Sequence, residues 1–158
     1  MKNKTDKPIQ FKEIETFDDL QALADQPIFC DFTLHQTPVR LKLEPVTPAL
    51  GEQLRELGRK ATPPFNPLRK DYDLMDPKYQ AERDLNARKA RALTVYACCP
   101  VIARKKPGLT GADQIYQFIQ GLKLPENILD LIEAKALIGG MGDVERRANF
   151  TLPPDSES

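Results

Sequence analysis

"LMDPKYQAERDLNARKARALTVYACCP", Leu74 to Pro100, decides the fold. Asp76 is placed to cap a helix and Pro77 to take its first position. Ala81, Leu85, Ala92, Tyr96 and Cys99 can share one side, and Pro100 stops the run. Arg88 and Lys89 interrupt that stripe near its middle. The spacing predicts one long helix, its first half solvated and its second half, "ALTVYACC", buried. A helix buried over half its length needs other elements packed around that half.

Those elements can be read on both sides. Upstream, in "IFCDFTLHQTPVRLKLEP", Ile28, Cys30, Phe32 and Leu34 alternate with Phe29, Asp31 and Thr33. After a four-residue turn, His35–Pro38, Val39, Leu41 and Leu43 alternate with Arg40, Lys42 and Glu44. Period two on both sides of a turn predicts a β-hairpin, and a lone hairpin needs something to lie against. Before it, "TFDDLQALADQP" predicts a short helix capped by Thr16, with Phe17, Leu20 and Leu23 on one side. After it, Thr47 caps and Pro48 opens a helix carrying Leu50, Leu54, Leu57 and Ala61. Downstream of the long helix, a basic link, "RKKPG", leads to a helix capped by Thr110 with Ala112, Ile115, Ile119 and Leu122 on one face. A last helix opens at Pro125 and turns Ile128, Leu129, Ile132, Ala136 and Leu137 inward, with glycines at its exit.

The expected class is α+β, mostly α: an N-terminal β-hairpin followed by a bundle of about four helices. Residues 16–140 form one domain, flanked by a flexible arm at 1–15 and a flexible tail at 141–158. Within the domain, residues 62–76, "TPPFNPLRKDYDLMD", hold prolines and no period. A loop of that length in a small domain works or moves.

Composition excludes several functions. Lys and Arg number 23 and Asp and Glu 23, so nothing draws the chain as a whole to nucleic acid or an anionic membrane. No apolar run is long enough for a membrane span, and the N-terminus lacks the apolar block of a signal peptide. Three cysteines, Cys30, Cys98 and Cys99, read as small buried hydrophobes in a reducing compartment. One histidine, His35, leaves a structural zinc site without its usual ligands and reads as a surface turn residue. "GLTGAD" and "GGMG" match no phosphate-cradling loop. "DYDLMD" lacks the glycine and closing glutamate of a calcium loop. The last two helices superficially match a helix-turn-helix, but Glu126, Asp130 and Glu133 would meet phosphate with the wrong sign. The basic stretches "RKARA" (88–92) and "ARKK" (103–106) read as solvated charge. No cofactor, metal or catalytic group is expected.

The order of pieces, "LKLEPVTPAL", a leucine-striped helix, a proline-rich loop ending "DPKYQAE", "ALTVYACCPVI" and "GLTGADQIYQFIQGLKLPENILDLI", resembles the tail assembly chaperones of long-tailed bacteriophages. The resemblance covers roughly residues 28–140. It implies a mostly helical protein with an N-terminal β element that coats the helical tape measure protein in the host cytoplasm and is absent from the finished virion. In several such systems a frameshift adds a C-terminal extension. A helical partner with apolar strips would need grooves or exposed apolar contacts. Phe65, Leu68, Tyr72, Leu74 and Met75 in the loop, with Tyr79 at its exit, are the candidate partner-binding residues. Folding back onto the domain is the other reading for them. Self-association is a further contact to expect, and two other functions stay open: a structural or adaptor protein retained in a phage or bacterial assembly, and a small thiol enzyme using Cys98 or Cys99.

Overall fold

A computed structural model describes Pro8 and residues 10–138. It is α+β and mostly helical. The order is α1 (Phe17–Ala24), β1 (Ile28–Leu34), β2 (Thr37–Leu43), α2 (Pro48–Lys60), β3 (Phe65–Asn66), β4 (Asp71–Tyr72), α3 (Pro77–Cys98), α4 (Pro100–Ala103), α5 (Ala112–Gly121) and α6 (Glu126–Ile138). The expected hairpin and the four helices after it are present, with one extra helical turn, α4, just before the basic link. Residues 10–15 carry neither helix nor strand. The expected tail and the glycine exit of α6 lie outside the described residues.

α3 is the axis. Asp76 Oδ2 accepts from Tyr79 N at 2.9 Å and Pro77 opens the first turn. Its far end is set by Cys99, whose extended backbone is the conformation a residue before proline adopts. Ala92, Leu93, Thr94, Val95 and Cys98 are buried, whereas the residues from Ala81 to Leu85 are all exposed. The division into a solvated first half and a buried second half holds. Thr94, the buried polar residue, donates from Oγ1 to Ala90 O at 2.9 Å, satisfying its hydroxyl within the helix.

α2, α5 and α6 pack along α3, and the hairpin joins the same core through α6 and α4. α2 contributes Leu50 and Leu57, α5 Ile115 and Ile119, and α6 Ile128, Leu129, Ile132 and Ala136. Leu137, expected inward, is 47% exposed because it falls off the side of α6 that meets α3 and β1. α5 is entered at Gly111 without a side-chain cap, so Thr110 does not take that role. Gly111 holds φ +89°, a left-handed conformation in which a side chain would be strained.

The hairpin pairs Ile28↔Leu43 through Leu34↔Thr37. Its turn is two residues long, where the sequence predicted four. His35 (φ 47°) and Gln36 (φ 65°) both sit in the left-handed region, as a two-residue primed turn requires. Pro38 therefore lies in β2, opposite Thr33, where the missing N–H would face away from β1. Cys30 and Leu43 are fully buried beneath the sheet. On the outer face Arg40 holds Asp31 in a two-pronged pair, at 2.8 and 3.0 Å, and lies 5.4 Å from the Phe29 ring centroid. Hydrogen bonding from Arg40 holds the Asp31 carboxyl below its usual range. The hairpin's root is tied to the axis, as Glu44 N donates to Cys98 O at 2.8 Å.

The basic link is fastened by Tyr96. Its hydroxyl donates to Lys106 O at 2.8 Å and accepts from Leu109 N at 3.1 Å, while its ring meets Phe118 edge-on at 5.9 Å. Tyr96→Phe removes both bonds and is expected to lower the unfolding free energy by about 1–2 kcal/mol. Leu43→Ala, at a site with no exposure, is expected to lower it by about 2–5 kcal/mol. Leu68→Ala, on an exposed tip, should change it by less than about 0.5 kcal/mol. Urea titrations of the three variants measure this order.

Candidate functional site

The segment between α2 and α3 is a compact platform. β3 and β4 pair Phe65↔Tyr72 and Asn66↔Asp71. The turn between them is drawn by Asn66, whose Oδ1 accepts from Leu68 N at 2.9 Å and Arg69 N at 3.2 Å. Lys70 completes it with φ 56°. Asp73 closes the base: its N–H donates to Pro64 O at 2.8 Å and its Oδ1 accepts from Met75 N at 3.0 Å. The sequence reads this stretch as a structureless loop. Its strands are two residues long, too short for any alternation to register.

On this frame Phe65 and Tyr72 face each other across the strands, ring centroids 5.4 Å apart and edge-on. Both are more than half exposed, as are Leu74 and Met75, and Leu68 at the turn is 93% exposed. They do not fold back onto the helices. Gln80 Nε2 reaches from α3 to Leu74 O at 3.3 Å and to the Met75 sulfur at 3.7 Å. Tyr79 stands apart: it is partly buried in the first turn of α3. Arg69 lies 3.5 Å from Asp71 and 3.9 Å from Asp73, so the platform's charges balance locally.

The stretch Arg88–Ala92 has a role its reading as solvated charge missed. Lys89 Nζ pairs with Asp113 at 2.8 Å, joining α3 to α5. Arg91, 15% exposed, pairs with Glu126 at 2.5 Å and Asp130 at 2.7 Å, joining α3 to α6. The acids of α6 that would repel phosphate thus serve an internal clamp. Arg88, Arg91, Lys123 and Glu126 rim a cleft of about 560 Å³ over Ile119 and Leu129. The signal available in sequence was complementarity between "RKARA" and the acids opening α5 and α6, but helix pairing cannot be read from one chain. Nearby, burial pushes the half-buried Glu133 carboxyl up.

The thiols are enclosed. Cys30, Cys98 and Cys99 are free and fully buried. Burial pushes all three thiols up, Cys98 to about 11 with Glu44 adding to the effect. A thiol held there is not a thiolate near neutrality. His35 is exposed in the hairpin turn. Among the described residues no three His, Cys, Asp or Glu side chains stand where they could hold a metal ion, and no helix is long and apolar enough to cross a membrane.

The raised Cys98 value has a sign. The folded chain keeps its proton where the unfolded chain, at about 9, has lost it. Stability is therefore expected to fall as pH rises from about 9 to 11. Cys98→Ala should be less stable at every pH and show a flatter fall over that interval, as followed by denaturant midpoints. No protein-family model matches the chain, and neither curated proteins nor solved structures give a match.

Proposed function

We propose that the chain is a non-enzymatic tail assembly chaperone of a long-tailed bacteriophage, which holds the helical tape measure protein through the platform between α2 and α3. One observation carries the reading: Phe65, Leu68, Tyr72, Leu74 and Met75 are exposed together on a hydrogen-bonded frame. Exposed apolar clusters on soluble proteins mark contact surfaces. A frame already in its final shape loses little freedom on binding. The order of elements, hairpin, leucine-striped helix, proline-rich connection, long helix and two amphipathic helices, supports the assignment to that family. Tyr79, partly buried in the first turn of α3, adds the platform's exit to that surface.

A structural or adaptor role within an assembly is the second reading, favoured by the hairpin edge. The outward edge of β1, at Phe29, Asp31 and Thr33, has no strand beside it among the described residues, whereas Pro38, Arg40 and Lys42 blunt the outer edge of β2. An adaptor would remain in purified virions and a chaperone would not.

Co-expression with the tape measure protein tests the first reading. The wild-type chain is expected to keep that protein in the soluble fraction and to co-purify with it. Phe65→Ser/Leu68→Ser/Tyr72→Ser should abolish both while leaving the denaturation midpoint within about 1 kcal/mol of wild type, since surface substitutions are near neutral. Undiminished co-purification of the triple variant would remove the platform from the mechanism.

A further inference from the structure

α1 has no buried residue. It is properly begun, Thr16 Oγ1 accepting from Asp19 N at 3.1 Å, but among the described residues its apolar side is left largely open. Phe17 is 73% exposed, Leu20 51% and Leu23 38%, and Phe11 just before the helix is 80% exposed. The helix is eight residues long, below the roughly 12–15 that an isolated helix needs in water. A helix this short is held when its apolar face is covered, and among the described residues the chain supplies no cover.

The charge of the segment says what kind of cover fits. Residues 10–27 contain Lys12 against Glu13, Glu15, Asp18, Asp19 and Asp25, one cation against five anions, a net charge of −4. α1 itself holds no cation. We propose that α1 and the residues leading into it are a docking surface for a cationic amphipathic helix of a partner protein. Its apolar stripe lies on Phe17, Leu20 and Leu23, and its Lys and Arg side chains face Asp18, Asp19 and Asp25. A second copy of this chain offers no such helix among the described residues. The basic turn Arg104–Lys106 has Val101 as its exposed large hydrophobic, and the platform's Arg69 and Lys70 are balanced by Asp71 and Asp73.

This surface is distinct from the platform and stands independently of its reading. β1 follows α1 after residues 25–27, a span of at most about 11 Å. The hairpin root is bonded to Cys98, at the end of α3 opposite the platform. The 22 residues of α3 put its two ends about 33 Å apart. One straight partner helix touching both would need more than about 20 residues.

The test uses the full chain and fluorescein-labelled peptides of about 20 residues, read by anisotropy. One peptide sets Lys and Leu at amphipathic helical spacing, one replaces Lys by Glu, and one scrambles the Lys–Leu composition so that no stripe forms. The ordered Lys–Leu peptide is expected to bind at least about tenfold more tightly than the other two. Phe17→Ser/Leu20→Ser/Leu23→Ser should remove that advantage, and Asp18→Lys/Asp19→Lys should turn the preference toward the Glu–Leu peptide. The chain's denaturation midpoint should not move, because α1 contributes nothing to the core, and Phe65→Ser/Tyr72→Ser should leave peptide binding intact. Equal binding of ordered and scrambled peptides, or unchanged binding in the α1 triple variant, overturns the proposal. So does a concentration-dependent dimer, seen by sedimentation, that the same triple variant abolishes, since that assigns the face to a second copy.

Discussion

The enclosure of one half of one helix is the constraint on which the fold depends. Thr94, Val95, Cys98 and Cys99 have no exposed surface, and each of the surrounding elements is amphipathic with its apolar side toward them. α2, α5 and α6 could not each hold a helical shape alone at 10 to 13 residues. The two-stranded hairpin is equally marginal by itself. Their stability is collective, supplied by burial against the same stretch. Small residues share that stretch: Ala92, Cys98 and Cys99 are buried in the common core, so cysteine serves here by volume, with its thiol chemistry suppressed by the same enclosure.

Where the two halves of α3 meet, ion pairs join it to α5 and α6. Lys89 and Arg91 sit where the buried half begins and reach across to Asp113, Glu126 and Asp130. Lys89 and Arg91 are mostly covered while the carboxylates are largely solvated. The pairs therefore add modest stability and chiefly fix which faces of α5 and α6 meet the axis. Beyond them the helix projects with few buried contacts and carries the platform at its start.

What was legible in the sequence follows periodicity. The caps at Thr16, Thr47 and Asp76 and the stripes of α2, α5 and α6 stand where the spacing put them, because each reports a local rule that burial reinforces. The hairpin was legible but its turn was not. His35 and Gln36 are not residues that advertise left-handed backbone, and Pro38 looked like punctuation when it is an edge-strand residue. Leu137 misled because one apolar position at the margin of a stripe carries no sign of which side its neighbours occupy. The platform residues were picked out as apolar groups in a polar stretch, but the Asn66 and Asp73 bonds that shape them leave only the weak signature of Asn-Pro and alternating acids. The internal use of Arg91 was beyond reach, since it depends on contacts across 35 to 39 residues.

Exposed apolar side chains normally bring a risk of aggregation, and their arrangement bears on what this chain can do. The two clusters differ in charge. The platform is locally neutral, with Arg69 between Asp71 and Asp73, while the α1 segment is strongly acidic. Like copies approaching through α1 repel one another, and the platform's aromatic pair is surrounded by paired charges that hold water at its margin. Both features tolerate a complementary partner and disfavour self-contact. The thiols are enclosed and the imidazole of His35 lies in the hairpin turn, so neither stands among these exposed apolar groups.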